Sequence, residues 1–209
     1  MEQTPSFFDV VKQRHSVRSF DSEHTISREE LMKILEYTAK APSSWNLQHW
    51  KFLVIDEQAA KEKLYPIANN QKQVLDAAAT IAVLGDVEAY KHAEPIFTEQ
   101  VERGYMTEKA KEILTANINA AYENIPNIGP HEAIRNASLA AMQLMLTAKA
   151  FGYDTVPMGG FNAEALVKEF NIPSRYLPVL LISVGKAAKP AHASMRLPIE
   201  HVTVWNRFE

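Results

Sequence analysis

The sequence predicts an α/β or α+β layer fold in which helices cover a sheet and helix is the larger share. Two observations carry this. Three β-rich runs, "WKFLVI" (50–55), "TIAVLGD" (80–86) and "PVLLISVG" (178–185), are separated by long stretches with helical spacing. The last run is nearly all apolar, as a central strand covered on both faces must be. The chain has 209 residues and is 46% hydrophobic, which fits one large domain or two small ones. A chain of this size buries roughly 70% of its unfolded surface, so its core needs no covalent staple.

Taken in order, Thr4 followed by Pro5 reads as a helix start: a capping hydroxyl, then a residue with φ already set. Phe7, Phe8, Val10 and Val11 give that helix an apolar face, and an extended piece with Val17 and Phe20 follows. Ser27 and Glu30 form a capping box. Behind it Leu31, Ile34, Leu35 and Thr38 make one helical face, closed by Pro42. The second strand ends at Gly85, and roughly residues 87–123 read as helix. From about Pro130 to Phe151 a helix carries Ala133, Ala137, Ala140, Ala141, Leu144 and Ala148 on one face. Such small residues let another backbone approach closely, and Gly152 supplies the stop. "YDTV" (153–156) is β-like and precedes a helix capped by Asn162. The terminal "HVTVWNRFE" has β character and is expected to pair with its own sheet or another subunit's edge.

Composition removes several function classes. Cysteine is absent, which excludes disulfides, thiolate nucleophiles and cysteine-ligated metal sites. There is no G-x-G-x-x-G, Walker A loop, H-E-x-x-H or G-x-S-x-G, and the histidines lack metal-ligand spacing, so no metal is expected. A net charge of −3 without a basic stripe gives no reason to expect nucleic acid. No apolar run approaches the ~20 residues of a membrane span, and the N-terminus does not read as a signal peptide. A cytoplasmic protein is expected.

Four polar stretches remain. "RHSVR" places Arg14, His15, Ser16 and Arg18 together, and guanidinium groups make bidentate bonds to phosphate. Alternatively, Arg14 and His15 are cations at a helix C-terminus. "APSSWNLQHW" (41–50) sets Ser43, Ser44, Asn46 and Gln48 between two tryptophans. Those groups can read a planar heterocycle, or they form an ordinary polar connection. In "VPMGGF" (156–161), Gly159 and Gly160 make a tight turn or admit a flat ligand to the backbone. "HASMRLP" (192–198) puts Arg196 in a polar loop, as a phosphate partner or an exposed cation.

In order, R-H-S-x-R, P-S-S-x-N-x-Q, N-x-x-Q with "LDA", P-x-G-G-F and x-x-R-L-P resemble the FMN-dependent nitroreductase family from about residue 8 to 200. The resemblance implies an α+β three-layer fold: a central, mostly antiparallel sheet flanked by helices, with a helix-rich dimer interface. It implies one domain over 1–209, with about 87–125 a variable helical lid and about 199–209 extending toward the partner. Tyr105 and Tyr122 lie in the lid segment and stay outside the site, since helical aromatics are more often core.

By the same resemblance FMN is bound tightly. Arg14 and Arg196 hold its phosphate, His15 and Ser16 the phosphate–ribityl region, and Arg18 lies near the N1–C2 edge. Asn70 and Gln73 contact the pyrimidine edge, the Gly159 N–H points at N5, Gly160 follows it, and Pro157 and Met158 pack on the ring. Pro42, Ser43, Ser44 and Asn46 serve the flavin of the partner in a homodimer. NAD(P)H is the co-substrate, donating a hydride to N5 in a ping-pong cycle that then reduces a nitroaromatic, quinone or similar small-molecule acceptor. FMN carries the redox chemistry, and no side chain need act as a general acid, because water or the flavin can deliver protons. Two positions depart from enteric-type members, which place Glu at Gly159 and Lys at Gln73. Alternatives within the resemblance are a dehalogenating or flavin-fragmenting enzyme. Beyond it stand a flavin-binding protein without turnover and a plain anion-binding domain.

Overall fold

The structure, a computed structural model, describes residues 5–208. The first helix, α1 (Phe7–Gln13), starts at Ser6, whose hydroxyl accepts the Asp9 N–H. Thr4, the expected cap, lies outside the described residues. Only Val10 of the helix is buried; Phe7, Phe8 and Val11 are exposed. Helix α2 (Arg28–Thr38) starts at Ser27, whose hydroxyl accepts the Glu30 N–H at 3.1 Å. The return bond expected of a capping box is supplanted by a tertiary one: the Glu30 carboxylate accepts the Tyr153 hydroxyl at 2.8 Å. That carboxylate and burial together push the Tyr153 phenol up to about 12.

Strands β1 (Trp50–Ile55), β2 (Ala79–Asp86), β3 (Asp154–Met158) and β4 (Tyr176–Gly185) form one sheet in the order β1-β2-β4-β3, every pair antiparallel. The apolar run read as a central strand is β4, which pairs on both sides. Val179 is an extra residue between the partners of Val83 and Leu84, a bulge beside Pro178, which has no N–H to donate.

Helices α3 (Gln58–Ile67) and α4 (Gln73–Asp76) connect β1 to β2. The helix expected over 87–123 is two, α5 (Ala93–Glu102) and α6 (Glu108–Asn124), separated at Gly104, where φ is +74°. Helix α7 (Ile128–Ala150) ends before Gly152 at φ +80°, and α8 (Ala163–Glu169) is capped by the Asn162 side chain.

Three layers result. On one sheet face, Ile81, Val83, Ile182 and Val184 pack against α2 and α7. On the other, Ala82, Leu84, Leu181 and Val156 pack against Leu64, Val74 and Leu166 of α3, α4 and α8. Alternation along β2 sends neighbours to opposite cores, and all eight of its residues are buried. The alanine face of α7 is spent inside this chain: a Cβ on Gly85 of β2 would stand 2.7 Å from the Ala133 carbonyl oxygen. The backbone that approaches Ala133 is β2 of the same chain. The face of α7 left exposed carries Ile134, Leu139 and Met142.

Within this chain the tail joins no sheet among the described residues. A single 3-10 turn, Ile199–Val202, is followed by irregular chain, and Leu197, Val204, Trp205 and Phe208 are exposed. β propensity reflects a fit to a half-buried sheet surface, and this chain offers the tail none. No helix among the described residues is long and apolar enough to cross a membrane.

Candidate functional site

Arg14 closes α1, its N–H donating to the Val10 carbonyl at 2.9 Å. The chain then runs extended. Ser16 bridges Thr155 in parallel, Val17 N–H donates to the Thr155 carbonyl, and Phe20 bridges Ala187. Buried Val17 and Phe20 anchor the run in the core, which leaves Ser16 half-buried and Arg18 exposed beside β3. The His15 Nδ1 lies 3.0 Å from the Gln13 carbonyl oxygen, so Nδ1 carries the hydrogen and Nε2 is turned outward. Among the described residues neither Arg14 nor Arg18 has a carboxylate partner, whereas Arg28, Arg103, Arg135 and Arg175 all do.

A second turn meets the end of β3. Asn69 and Asn70 both adopt left-handed backbone, with φ +55° and +56°. The Asn69 and Gln71 side-chain amides donate to the Gly160 carbonyl at 2.9 and 3.0 Å, and Gln73 Nε2 donates to Gln71 Oε1 at 3.0 Å. Gln73 Nε2 also stands 3.4 Å from the Met158 sulfur. Asn70 is exposed, Gln73 buried and Pro157 half-buried. Met158 is 3% exposed and sits in the core, which leaves it little surface for a ring.

Neither Gly159 nor Gly160 has a positive φ, so the conformational freedom of a tight turn is not what they supply. An added Cβ at Gly159 would meet nothing within 4 Å, and at Gly160 only Asn69 Nδ2 at 3.7 Å. The chain's own packing does not demand glycine there. Open space beside a fixed backbone edge suits a flat ligand.

The 42–48 loop stands apart from this group. Trp45, Asn46 and Gln48 take positive φ, uncommon for side-chain-bearing residues and tolerated where surroundings over-determine the backbone. Ser43 Oγ accepts the Gln48 N–H at 3.0 Å. Ser44 N–H donates to Asn136 Oδ1 at 2.9 Å, and Ser44 Oγ–H donates to Glu132 Oε2 at 2.5 Å. Both partners lie on α7 and are buried. Burial alone would push the Glu132 carboxyl up, but hydrogen bonds from Ser44 and Asn136 and the charge of Arg135 hold it below its usual value. Beside the loop, His49 is buried with Nε2 3.1 Å from the Tyr122 hydroxyl and Nδ1 without a partner. Burial pushes this imidazole down to about 4, so it is neutral near pH 7.

Pro42 and Asn46 are exposed, and no hydrogen bond among the described residues joins their loop to the Arg14–Arg18 group. Arg196 is also exposed, its guanidinium donating to Ser194 Oγ and the Met195 carbonyl in its own loop. One chain therefore gathers Arg14–Arg18, Asn70–Gln73 and Pro157–Gly160. No hydrogen bond among the described residues ties Pro42–Asn46 or Arg196 to them.

Residues 11–186 match the model of the nitroreductase family. The chain belongs to this family. Within it, the Bacillus subtilis (strain 168) protein YodC, provisionally named an NAD(P)H nitroreductase, is 49% identical over 197 residues, 94% of this chain and 97% of that protein. The CLA biosynthesis enone reductase of Lactiplantibacillus plantarum is 36% identical over 89% of this chain and 88% of its own. A crystal structure from Exiguobacterium sibiricum 255-15, provisionally named a nitroreductase and in complex with FMN, superposes with a TM-score of 0.92. It is 40% identical and the match covers 99% of this chain and 100% of that one.

Asn69, Gln71, Glu132 and Asn136 are site-building residues that the sequence does not single out. An Asn-Asn pair is a usable signal for a left-handed turn. Glu132 and Asn136 share a helix face at i, i+4, but the loop they hold is 88 residues or more away.

Proposed function

We propose that this nitroreductase-family chain binds FMN and uses it to pass reducing equivalents from NAD(P)H, in ping-pong order, to a nitroaromatic, a quinone or a similar acceptor. The observation that carries this reading is the neighbourhood of three groups: Arg14 and Arg18, whose guanidinium groups have no carboxylate partner among the described residues, the Asn70–Gln73 turn, and the open Gly159–Gly160 edge. Their donor chemistry fits a flavin mononucleotide, which offers a phosphate, a hydroxylated chain and a flat ring rimmed with acceptors.

In this reading Arg14 holds the phosphate together with Arg196, whose loop bonds to Ser194 and Met195 would be exchanged for it. His15 presents Nε2 as an acceptor toward a ribityl hydroxyl, or as a donor to phosphate once protonated. Ser16 adds a neutral hydroxyl. Asn70 and Gln73 face the pyrimidine edge, Pro157 offers apolar surface to the ring, and Gly159 offers its N–H. Bound FMN supplies hydride chemistry, which no side chain here performs. Arg18 supplies fixed positive charge where reduction leaves negative charge.

The 42–46 loop completes the site of a second copy in a homodimer. Exposed Phe7, Phe8 and Val11 on α1, Leu139 and Met142 on α7, and the apolar tail support such an interface. The whole chain acts as one domain, with 87–125 as a helical lid and 199–209 reaching over the partner. An enone acceptor is a second reading, favoured by the 36% identity to an enone reductase.

The test is a visible spectrum of the purified protein before and after anaerobic NADH or NADPH. Flavin bands near ~450 nm that bleach on addition support the proposal and name the donor. Bands that persist leave a flavin-binding protein without this turnover. A colourless protein that takes up no added FMN sinks the reading.

A further inference from the structure

Ser43 and Ser44 are neighbours with opposite hydrogen-bonding commitments. Ser43 Oγ accepts a backbone N–H, so its own proton remains free to donate. Ser44 is the reverse. Its proton goes to Glu132 Oε2 at 2.5 Å, and an ionised carboxylate offers only lone pairs, so it cannot return the bond. The remaining capacity of Ser44 Oγ is to accept. Asn136 fixes the rest of the arrangement: its Oδ1 takes the Ser44 N–H at 2.9 Å and its Nδ2 donates to Glu132 Oε2 at 3.0 Å. Nδ2 also stands 3.4 Å from Ser44 Oγ, a long contact that leaves a lone pair open. Asn136 is 1% exposed and Glu132 7%, so this triad is built into the protein and is not a solvated surface pair. The same residues hold a loop whose backbone is in the left-handed region at Trp45, Asn46 and Gln48.

We infer that Glu132 is a positioning residue for cofactor recognition: by taking the Ser44 proton it makes Ser44 a hydrogen-bond acceptor beside the donor Ser43, so that the loop selects a ligand presenting an N–H or O–H next to a carbonyl-type acceptor. A flavin carries an N–H beside carbonyl groups on its ring imide, and along its ribityl chain it carries neighbouring hydroxyls that both donate and accept. The inference rests on the proposed FMN site, to which this loop belongs. Glu132 acts only through Ser44 and does not itself reach the ligand.

A double-mutant cycle on FMN affinity tests it, using free-flavin fluorescence titrations of the full chain, Glu132→Ala, Ser44→Ala and the double variant. Each single change is expected to weaken FMN binding about tenfold, and the double variant also about tenfold, because both remove one interaction. A general packing role for Glu132 would instead multiply the two losses to about a hundredfold, and that result overturns the inference. Undiminished affinity in Glu132→Ala overturns it as well. Should Glu132→Ala fail to fold, the same cycle is run with Glu132→Asp, which keeps the charge and loses the reach to Ser44. Absence of FMN binding by the unaltered protein sinks the FMN reading itself and is distinguishable from every result above.

Discussion

Arg18 is exposed on a run whose Val17 and Phe20, on either side of it, are buried in the core. Its backbone is therefore held while its guanidinium has no carboxylate to neutralise it among the described residues. A fixed cation of this kind matters more after electrons arrive than before, since it stabilises charge that reduction creates. With Gln73 uncharged and tied to Gln71, Arg18 would carry that role in the proposed site, with no second cation at the Gln73 position. Arg18→Ala is expected to slow NAD(P)H-driven flavin reduction by about a hundredfold, the scale of losing one electrostatic donor, and to weaken FMN binding much less. Stopped-flow reduction at an unchanged rate would refute this.

His49 makes a prediction of another kind. Its imidazole titrates near 4 when folded, against an ordinary 6.5. The unfolded chain thus takes a proton that the folded chain refuses, and stability falls as pH drops through this window. The contribution is intact above 6.5, drains toward 4 and then levels, amounting to about 3 kcal/mol. Asp86 and Glu132 lie close enough to oppose the shift, though burial outweighs them. Urea denaturation at about pH 7 and about pH 4.5 should therefore show a smaller acid loss in His49→Gln than in the parent. Equal losses would mean that His49 is protonated in the folded state.

At the scale of elements, the tightest joint is the one between β2 and α7. A methyl on Gly85 would enter the Ala133 carbonyl at 2.7 Å, with the Ala133 Cβ at 2.9 Å, and neither belongs to a flexible side-chain end. Gly85→Ala is expected to cost about 2 kcal/mol by overpacking, lowering the thermal midpoint by about 6 °C in a chain of this length. An unchanged midpoint would show that α7 can slide on the sheet. The elements themselves were largely legible. Period-2 and all-apolar runs located β1, β2 and β4, and Gly152 and Asn162 marked the end of α7 and the start of α8. What misled were features decided by tertiary partners. The alanine face of α7 announces a close neighbour without saying which. The tail announces β propensity without an edge to join. Glu30 completes a capping motif on paper and bonds Tyr153 in the fold. The candidate groups Arg14–Arg18 and Gly159–Gly160 stand out in the sequence because they are local clusters. Glu132 and Asn136 were invisible because no local pattern ties them to Ser44.

At the scale of the molecule, the chain leaves uncovered apolar surface on α1 and α7, among other helices, and along its tail. Leu139 and Met142 are more than 40% exposed on α7, and Trp205 is 83% exposed. Surface of this kind, together with a loop that no hydrogen bond among the described residues ties to the Arg14–Arg18 group, fits a twofold dimer that closes two sites at once. Light scattering should return twice the 23.5 kDa of one chain. Leu139→Lys combined with Met142→Lys places like charges on the proposed interface without touching the chain's own core. The expected product is a folded monomer that no longer retains FMN at micromolar concentration, because Pro42–Asn46 of a second copy are lost from each site. A pair that still dimerises puts the interface elsewhere. A monomer that keeps its flavin shows that Arg14–Arg18, Asn70–Gln73 and Gly159–Gly160 suffice within one chain, and the left-handed 43–48 loop must then be explained without a cofactor.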